Sequence, residues 1–465
     1  MWQAVRHGKQ RQRETRSQEA AEKEANGARA SSSSCANLQK AGLESLSYCT
    51  PRRGRTQYNL SVRILLLNLY YPPDTSATAK MAHTIVEALS SSNSLTVLCG
   101  RPSYDPTERR PWRPYQMEIV GPARILRAGS TDFPRFDMKK RVVNYLSYLA
   151  LAIPRALFVP CDVIVAMTDP PFQGIVGAIV ALLKRKPYVY NIRDLYPDMA
   201  VGGSIVQPGM LARFWERLHR WALRRATCVV VLGEDMRARI IAKRVEPSRI
   251  AIVRDGADIL PPGAPLPAPE PAVVRAIRGN FSFVLVHAGN LGFYGAWNTL
   301  VTAARLLANE GVGLVFVGDG AQRSQIEAAA AGAGNIRFLE FFPANKIPSV
   351  LAAADAHVIT VKRGLEGVVV PSKMYGILAA GKPILAVAPK ETDAVSLGAQ
   401  RGFAVAADPD RPAEVVNAVR ALASDPKKLK AMGEAARAAA ADYDRVVELK
   451  KFVTIIDQLA VDQPN

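Results

Sequence analysis

PPGAPLPAPEPAVV, residues 261–274, decides how the chain divides. Six prolines between Pro261 and Pro271 fix backbone angles and remove amide donors, so the stretch reads as an extended linker between two folded parts. On both sides of it short apolar runs alternate with helical segments, the pattern of parallel sheets layered with helices. Before the linker, strands are expected near 62–69, 94–98, 162–167, 187–192 and 228–232, and helices near 78–90, 172–185, 207–225 and 234–244. After it, SFVLVHAG, GLVFVGDG, NIRFLE, AHVITV, PILAVA and GFAVAA restart the alternation. The expectation is an α/β chain of two Rossmann-like, doubly wound domains, 61–268 and 269–442, facing each other across a cleft. A helix in 443–465 is expected to pack back on the first domain. Ligands of such sheets bind beyond the carboxyl ends of the strands, so the site belongs between the domains.

Residues 1–60 are polar, lack sustained apolar periodicity and are expected to form a disordered basic extension. Composition also excludes several function classes. The five cysteines are scattered without a CxxC pair, which argues against a disulfide framework and for a reducing, cytosolic compartment. The five histidines have no metal-ligand spacing, so no metal site is expected. The most apolar stretch, from Val142, contains Asn144, Pro154 and Arg155, which are expected to break both its helix and its apolarity. No signal-peptide pattern opens the chain. The net charge of +19 is concentrated in residues 61–268, with 28 basic against 17 acidic side chains. No interleaved aromatic and basic patch accompanies it, so nucleic acid is not an expected partner.

Three loops of the second domain carry chemistry. In HAGNLGFYG, Gly289, Gly292 and Gly295 let backbone amides approach a ligand, with Asn290 among them; the spacing is not that of a dinucleotide dehydrogenase. In VFVGDGAQR, Gly318 and Gly320 permit a tight turn and Arg323 follows one turn in. In EGVVVPSKMYGILAAGKP, residues 366–383, Pro371, Ser372 and Lys373 present free amides, a hydroxyl and an ammonium at a helix start, a seat for phosphate. Glu366 precedes them in a loop, placed to accept from hydroxyls. Gly376 falls inside the helix, where glycine costs roughly 1 kcal/mol. In the first domain NLYYPPDTSATA offers Pro73, Thr75 and Ser76 to an acceptor, while Asp169 and the pair Arg193 and Asp194 follow other strands into the cleft. Trp297 and Phe341–Pro343 fit either a nucleobase sandwich or core packing. Asp442–Asp444 reads as a helix cap rather than a metal-binding DxD.

Together these residues resemble the donor half of a GT-B glycosyltransferase, in the large retaining group usually called family 4. The resemblance runs from about Val62 to the C-terminus. In that family an acid, seven residues and a second acid precede AxGxP. Glu366 stands for the first, near the transferred sugar, and Gly376, five residues before Gly381, stands where the second holds ribose. An arginine and a lysine that neutralise the donor pyrophosphate are replaced by Asn290 and Gly295. Lys373, Arg323, Lys362 or Arg363 then supply the charge. A subgroup that builds bacterial surface polysaccharides looks similar in YYPP, GNLG and PSKMYGILAAGKP. The resemblance implies sugar transfer, with retention, from a nucleotide diphosphate sugar to a glycan acceptor, lipid-linked, without cofactor. Glu366 and Asp194 are the expected catalytic residues. The alternative is a non-catalytic GT-B-like binding subunit.

LARFWERLHRWALRR, residues 211–225, places Arg213, Arg217, Arg220 and Arg224 on one side of a helix and apolar residues on the other. It fits either an anionic membrane surface or lipid pyrophosphate acceptor, or a solvated face over a packed one. The expected location is cytoplasmic, peripheral on the inner face of the cell membrane.

Overall fold

The computed structural model describes residues 61–102, 112–133, 138–261 and 263–461. The expected extension, residues 1–60, lies outside them.

The first domain is an eight-stranded sheet in the order β3-β4-β2-β1-β5-β6-β7-β8. Its strands are β1 (Arg63–Leu67), β2 (Ser94–Gly100), β3 (Tyr115–Val120), β4 (Ala123–Ala128), β5 (Val163–Ala166), β6 (Tyr188–Asn191), β7 (Cys228–Val231) and β8 (Ile250–Ile252). All pair in parallel except β3, which runs antiparallel to β4. Six helices join them: α1 (Ala77–Leu89), α2 (Met138–Phe158), α3 (Gln173–Lys184), α4 (Asp198–Gly202), α5 (Met210–Arg225) and α6 (Glu234–Ala242). Continuous apolar runs such as RILLL in β1 are buried on both faces because helices cover both sides of the sheet. The β3–β4 hairpin was not expected, since Met117 and Ile119 on its edge strand point their apolar bulk to solvent and blur the alternation.

Pro154 does not break its helix. α2 runs through it, because Tyr145, Tyr148, Leu149, Ala152 and Ala156 bury one continuous face in the core. That burial, at roughly 1.5–3 kcal/mol per large side chain, outweighs a proline penalty of about 3 kcal/mol. Among the described residues no helix is long and apolar enough to cross a membrane.

The second domain follows α7 (Pro271–Arg278) and is a six-stranded parallel sheet in the order β11-β10-β9-β12-β13-β14. Its strands are β9 (Phe283–Ala288), β10 (Val312–Val317), β11 (Ile336–Leu339), β12 (Ala356–Thr360), β13 (Ile384–Val387) and β14 (Ala404–Ala407). Around it lie α8 (Trp297–Leu306), α9 (Arg323–Ala330), α10 (Ile347–Ala353), α11 (Lys373–Ala379), α12 (Asp393–Arg401), α13 (Pro412–Ala423) and α14 (Pro426–Ala440). The last helix, α15 (Arg445–Val461), returns to the first sheet, where Phe452, Ile455 and Ile456 join Ile64, Leu66, Ile85 and Val86. Asp444 caps it by accepting from the Val446 amide at 2.7 Å.

The two sheets share a core. Ile192, Leu195 and Met236 of the first pack with Leu365, Val368, Met374 and Tyr375 of the second. The backbone seals the junction, for the Leu195 amide donates to the Val368 carbonyl at 3.1 Å and Asp194 bridges Val369. The N-termini of α6 and α12 also meet, each capped by the other's carboxylate. Asp393 accepts from the amides of Glu234 and Asp235 at 3.2 Å, and Asp235 accepts from the Asp393 amide at 3.3 Å. Burial, and then the charge of Asp393, raises the proton affinity of Asp235.

Candidate active site

The loops leaving β9 and β10 cross in direct contact, which their glycines allow. A Cβ on Gly318 would lie 2.3 Å from the Gly289 carbonyl oxygen, and both residues have positive φ, +135° and +137° respectively. The loops are then stitched by the Leu291 amide donating to the Asp319 carbonyl and Gln322 to Leu291, both at 2.9 Å. Asn290 lies against Gly320, where a Cβ would meet its Oδ1 at 2.5 Å. Gly292 accepts the Trp297 indole N–H at 2.7 Å.

Lys373 rises beneath this crossing. Its Nζ lies 3.2 Å from where a Cβ of Gly289 would stand, so the missing side chain leaves the ammonium open toward the loop. Nζ donates to His287 Nε2 at 2.9 Å, while His287 Nδ1 donates to the Val358 carbonyl at 3.3 Å. This second bond fixes the neutral tautomer whose Nε2 lone pair faces the lysine. Burial pushes Lys373 down to about 7, and burial followed by the lysine charge holds His287 well below its ordinary range. Among the described residues no carboxylate forms an ion pair with Lys373. A cation without a counter-charge, below open backbone, is suited to an incoming anion. His287 carries no motif of its own; its place as the penultimate residue of β9, leading into GNLG, was the available signal.

Of the other cations considered for this role, Lys362 forms no ion pair among the described residues and burial lowers its proton affinity, whereas Arg323 and Arg363 are already paired. Arg323 pairs with Glu327 at 2.8 Å and Glu340 at 2.7 Å and donates to the Gly318 carbonyl. Arg363 pairs with Asp408 and Asp410. The helix expected at Pro371 begins at Lys373; Pro371 is buried in the preceding turn, where its carbonyl accepts from the Met374 amide at 3.1 Å, and Ser372 is exposed and makes no side-chain cap. A Cβ on Gly376 would meet only Leu351, at 3.8 Å, so this face of α11 is open. Trp297 is a core residue, edge-on to His287 at 4.9 Å, whereas Phe341 is exposed with its ring beside Gly318.

On the opposite side, Asp194 is half-buried where the exit of β6 meets the 368–369 backbone. Burial, then the nearby Asp169 charge, pushes its carboxyl up to about 6. Arg193 is turned the other way: it pairs with Asp255 at 2.5 Å, beside Met81 and Phe452 on the α1–α15 face of the sheet. Thr75 is exposed; the Ser76 hydroxyl accepts from the Ala79 amide at 3.1 Å as the N-cap of α1 and keeps its proton to donate. The Pro72–Pro73 turn is tied down by Arg127, which donates to the Pro72 carbonyl at 2.5 Å.

Glu366 faces the first domain. Its Oε1 pairs with Arg239 at 3.1 Å and its Oε2 accepts the Gly364 amide at 2.7 Å. Nine residues separate Glu366 from Gly376, against seven in the family pattern, so the two positions do not both fit that pattern.

The comparisons with known proteins agree with this architecture. Residues 76–256 match the family described as glycosyl transferase 4-like domain, and residues 279–439 match glycosyl transferases group 1. The chain is 24% identical over 305 residues to the probable glycosyltransferase WbjE of Pseudomonas aeruginosa, covering 64% of this chain and 75% of that one. It is 23% identical over 387 residues to WcaI of Escherichia coli, a putative colanic acid biosynthesis glycosyl transferase, covering 79% and 93%. The solved structure of HepE from Anabaena with UDP and glucose superposes with a TM-score of 0.61 at 19% identity, over 86% of this chain and all of that one.

Proposed function

The chain belongs to the GT-B glycosyltransferases, with a 4-like first domain and a group 1 second domain, and from that premise we propose retaining sugar transfer from a nucleoside diphosphate sugar to a lipid-linked glycan in cell-surface polysaccharide synthesis. The observation that carries this reading is the uncompensated Lys373 beneath the crossed Gly289 and Gly318 loops. A donor diphosphate there meets backbone amides and one ammonium, replacing the two basic residues the family often has. Phe341 is the platform for the base. UDP is the first nucleotide to test, because HepE was solved with it.

The acceptor hydroxyl attacks the anomeric carbon from the face the diphosphate leaves. The bond from that carbon to the diphosphate oxygen breaks, and the hydroxyl proton passes to the departing phosphate oxygen. Lys373 stabilises the charge that develops on the leaving group, and Asp194 accepts the acceptor hydroxyl's hydrogen bond to orient it. Glu366 holds the 364–369 loop against Arg239, and the second lone pair on each of its oxygens accepts from sugar hydroxyls. The surface-polysaccharide assignment draws support from WcaI, a putative colanic acid biosynthesis glycosyl transferase. The reaction takes place at the inner face of the cell membrane.

Calorimetry with UDP, GDP and ADP, followed by transfer assays with the matching sugars and NMR of the product's anomeric configuration, tests this. Binding of one nucleotide and retention are expected. Absence of binding by every nucleotide ends the donor reading, and inversion ends the retaining one.

A further inference from the structure

A cavity of about 750 Å³ opens between α4, α5 and α6, with Gly364 of the second domain at one end. None of Gly289, Gly318 or Lys373 lines it. Its volume suits a ligand of moderate size. Five cations reach it, against two carboxylates, Asp198 and Glu216.

The pairing within the cavity leaves a surplus in one place. Lys243 is buried and held by Asp198 at 2.7 Å and Glu216 at 2.8 Å. Arg220 pairs with Glu216 at 2.5 Å, and Arg239 pairs with Glu366 and, at 3.9 Å, with Asp198. Both carboxylates are thereby engaged. Arg213 and Arg217 have no ion-pair partner among the described residues. They stand one helical turn apart, roughly 5–6 Å at Cβ, a separation that suits two linked phosphates, and guanidinium binds phosphate through paired donors.

Beside them the same helix leaves large apolar side chains in solvent: Met210 is 85% exposed, Leu211 73% and Phe214 58%. Met210 and Phe214 stand three positions before Arg213 and Arg217 respectively, on the same side of α5 and just outside the cavity lining, while Leu211 points further round the helix. A ligand that satisfied both features would carry charge at one end and hydrocarbon at the other.

We propose that this cavity binds an amphiphilic diphosphate, with Arg213 and Arg217 on the phosphates and Met210 and Phe214, at the cavity's edge, against its apolar chain. The inference rests on the glycosyltransferase reading and assigns a site to the lipid carrier of the acceptor. Arg239 spans from the cavity wall to Glu366, so a glycan attached to the bound diphosphate extends toward the 364–369 loop and Asp194.

The test titrates the full chain with farnesyl diphosphate, inorganic pyrophosphate and phosphatidylglycerol vesicles, with UDP as a parallel arm. Farnesyl diphosphate is expected to bind at least 10-fold more tightly than pyrophosphate. An Arg213→Glu, Arg217→Glu double variant should lose that binding while retaining UDP binding and its circular dichroism. Met210→Ser with Phe214→Ser should weaken farnesyl diphosphate about 10-fold and leave pyrophosphate unchanged. The proposal is overturned if farnesyl diphosphate does not bind, if the charge-reversed protein binds it equally, or if UDP displaces it. Vesicle binding as tight as that of farnesyl diphosphate, lost in the same variant, would replace the site by a lipid surface. A protein that takes farnesyl diphosphate but no nucleotide would break the donor reading and keep this site.

Discussion

The two sides of the cleft are built by opposite means. On the second domain, crossed glycine loops bring two stretches of backbone into contact and the Lys373 ammonium rises beneath them, positioned by a neutral histidine. On the first domain, side chains from separate elements form a relay that begins at Glu366 of the second: Glu366 to Arg239, Arg239 to Asp198, Asp198 to Lys243, and Lys243 to Glu216. A backbone-built site tolerates change in its side chains but not in its glycines. A side-chain relay has the reverse weakness, because removing one member leaves a buried charge without its partner.

Replacing the members of each side separately tests that contrast. Lys373→Ala should lower donor kcat/KM by about 100-fold or more, with Glu366→Ala also abolishing turnover and the circular dichroism of both unchanged; measurable wild-type rates would remove these residues from the site. Asp194→Asn comes next. The carboxyl titrates at about 6, so wild-type activity should fall as the pH drops through that value and the group is protonated. The variant should lose this acid limb along with at least roughly 100-fold in rate, read from a pH profile of kcat.

His287→Leu removes the acceptor that aims Lys373 and should raise donor KM about 10-fold. His287→Gln, which keeps an acceptor oxygen, should recover most of the loss. Because Lys373 titrates at about 7 in the unliganded site, donor affinity should also decline as pH rises through 7. Equal KM in both variants would show that His287 only fills space. Asp393→Ala strips the cap from Glu234 and Asp235 and should cost about 1–2 kcal/mol in denaturant unfolding. Gly376→Ala, the smallest effect, should stabilise by up to about 1 kcal/mol, since a Cβ there meets only Leu351. Gly376→Glu should alter nucleotide affinity if this position faces the ribose, as the family resemblance implies.

The same contrast explains what could be read in advance. The proline linker, the apolar runs and the GNLG and GDG loops are local signals whose physics needs no partner, and the two-sheet architecture followed from them. The pairing of Arg193 with Asp255 was hidden, because Arg193 and Asp194 lie past the end of β6, where no strand periodicity says which way each side chain turns. The Glu366–Arg239 pair joins residues 127 positions apart, and no periodicity announces such a contact. Lys373 was legible as a cation at a helix start; its dependence on His287, 86 positions earlier, was not.

The return of α15 to the first sheet has a consequence for how the molecule is made. Phe452, Ile455 and Ile456 complete one apolar face of a sheet whose strands end at Ile252. A ribosome adding about 5–20 residues per second needs on the order of 10–40 s to supply the residues between them. During that interval the newborn first domain carries an uncovered hydrocarbon surface, and the first half of the protein to be synthesised is the last to be finished.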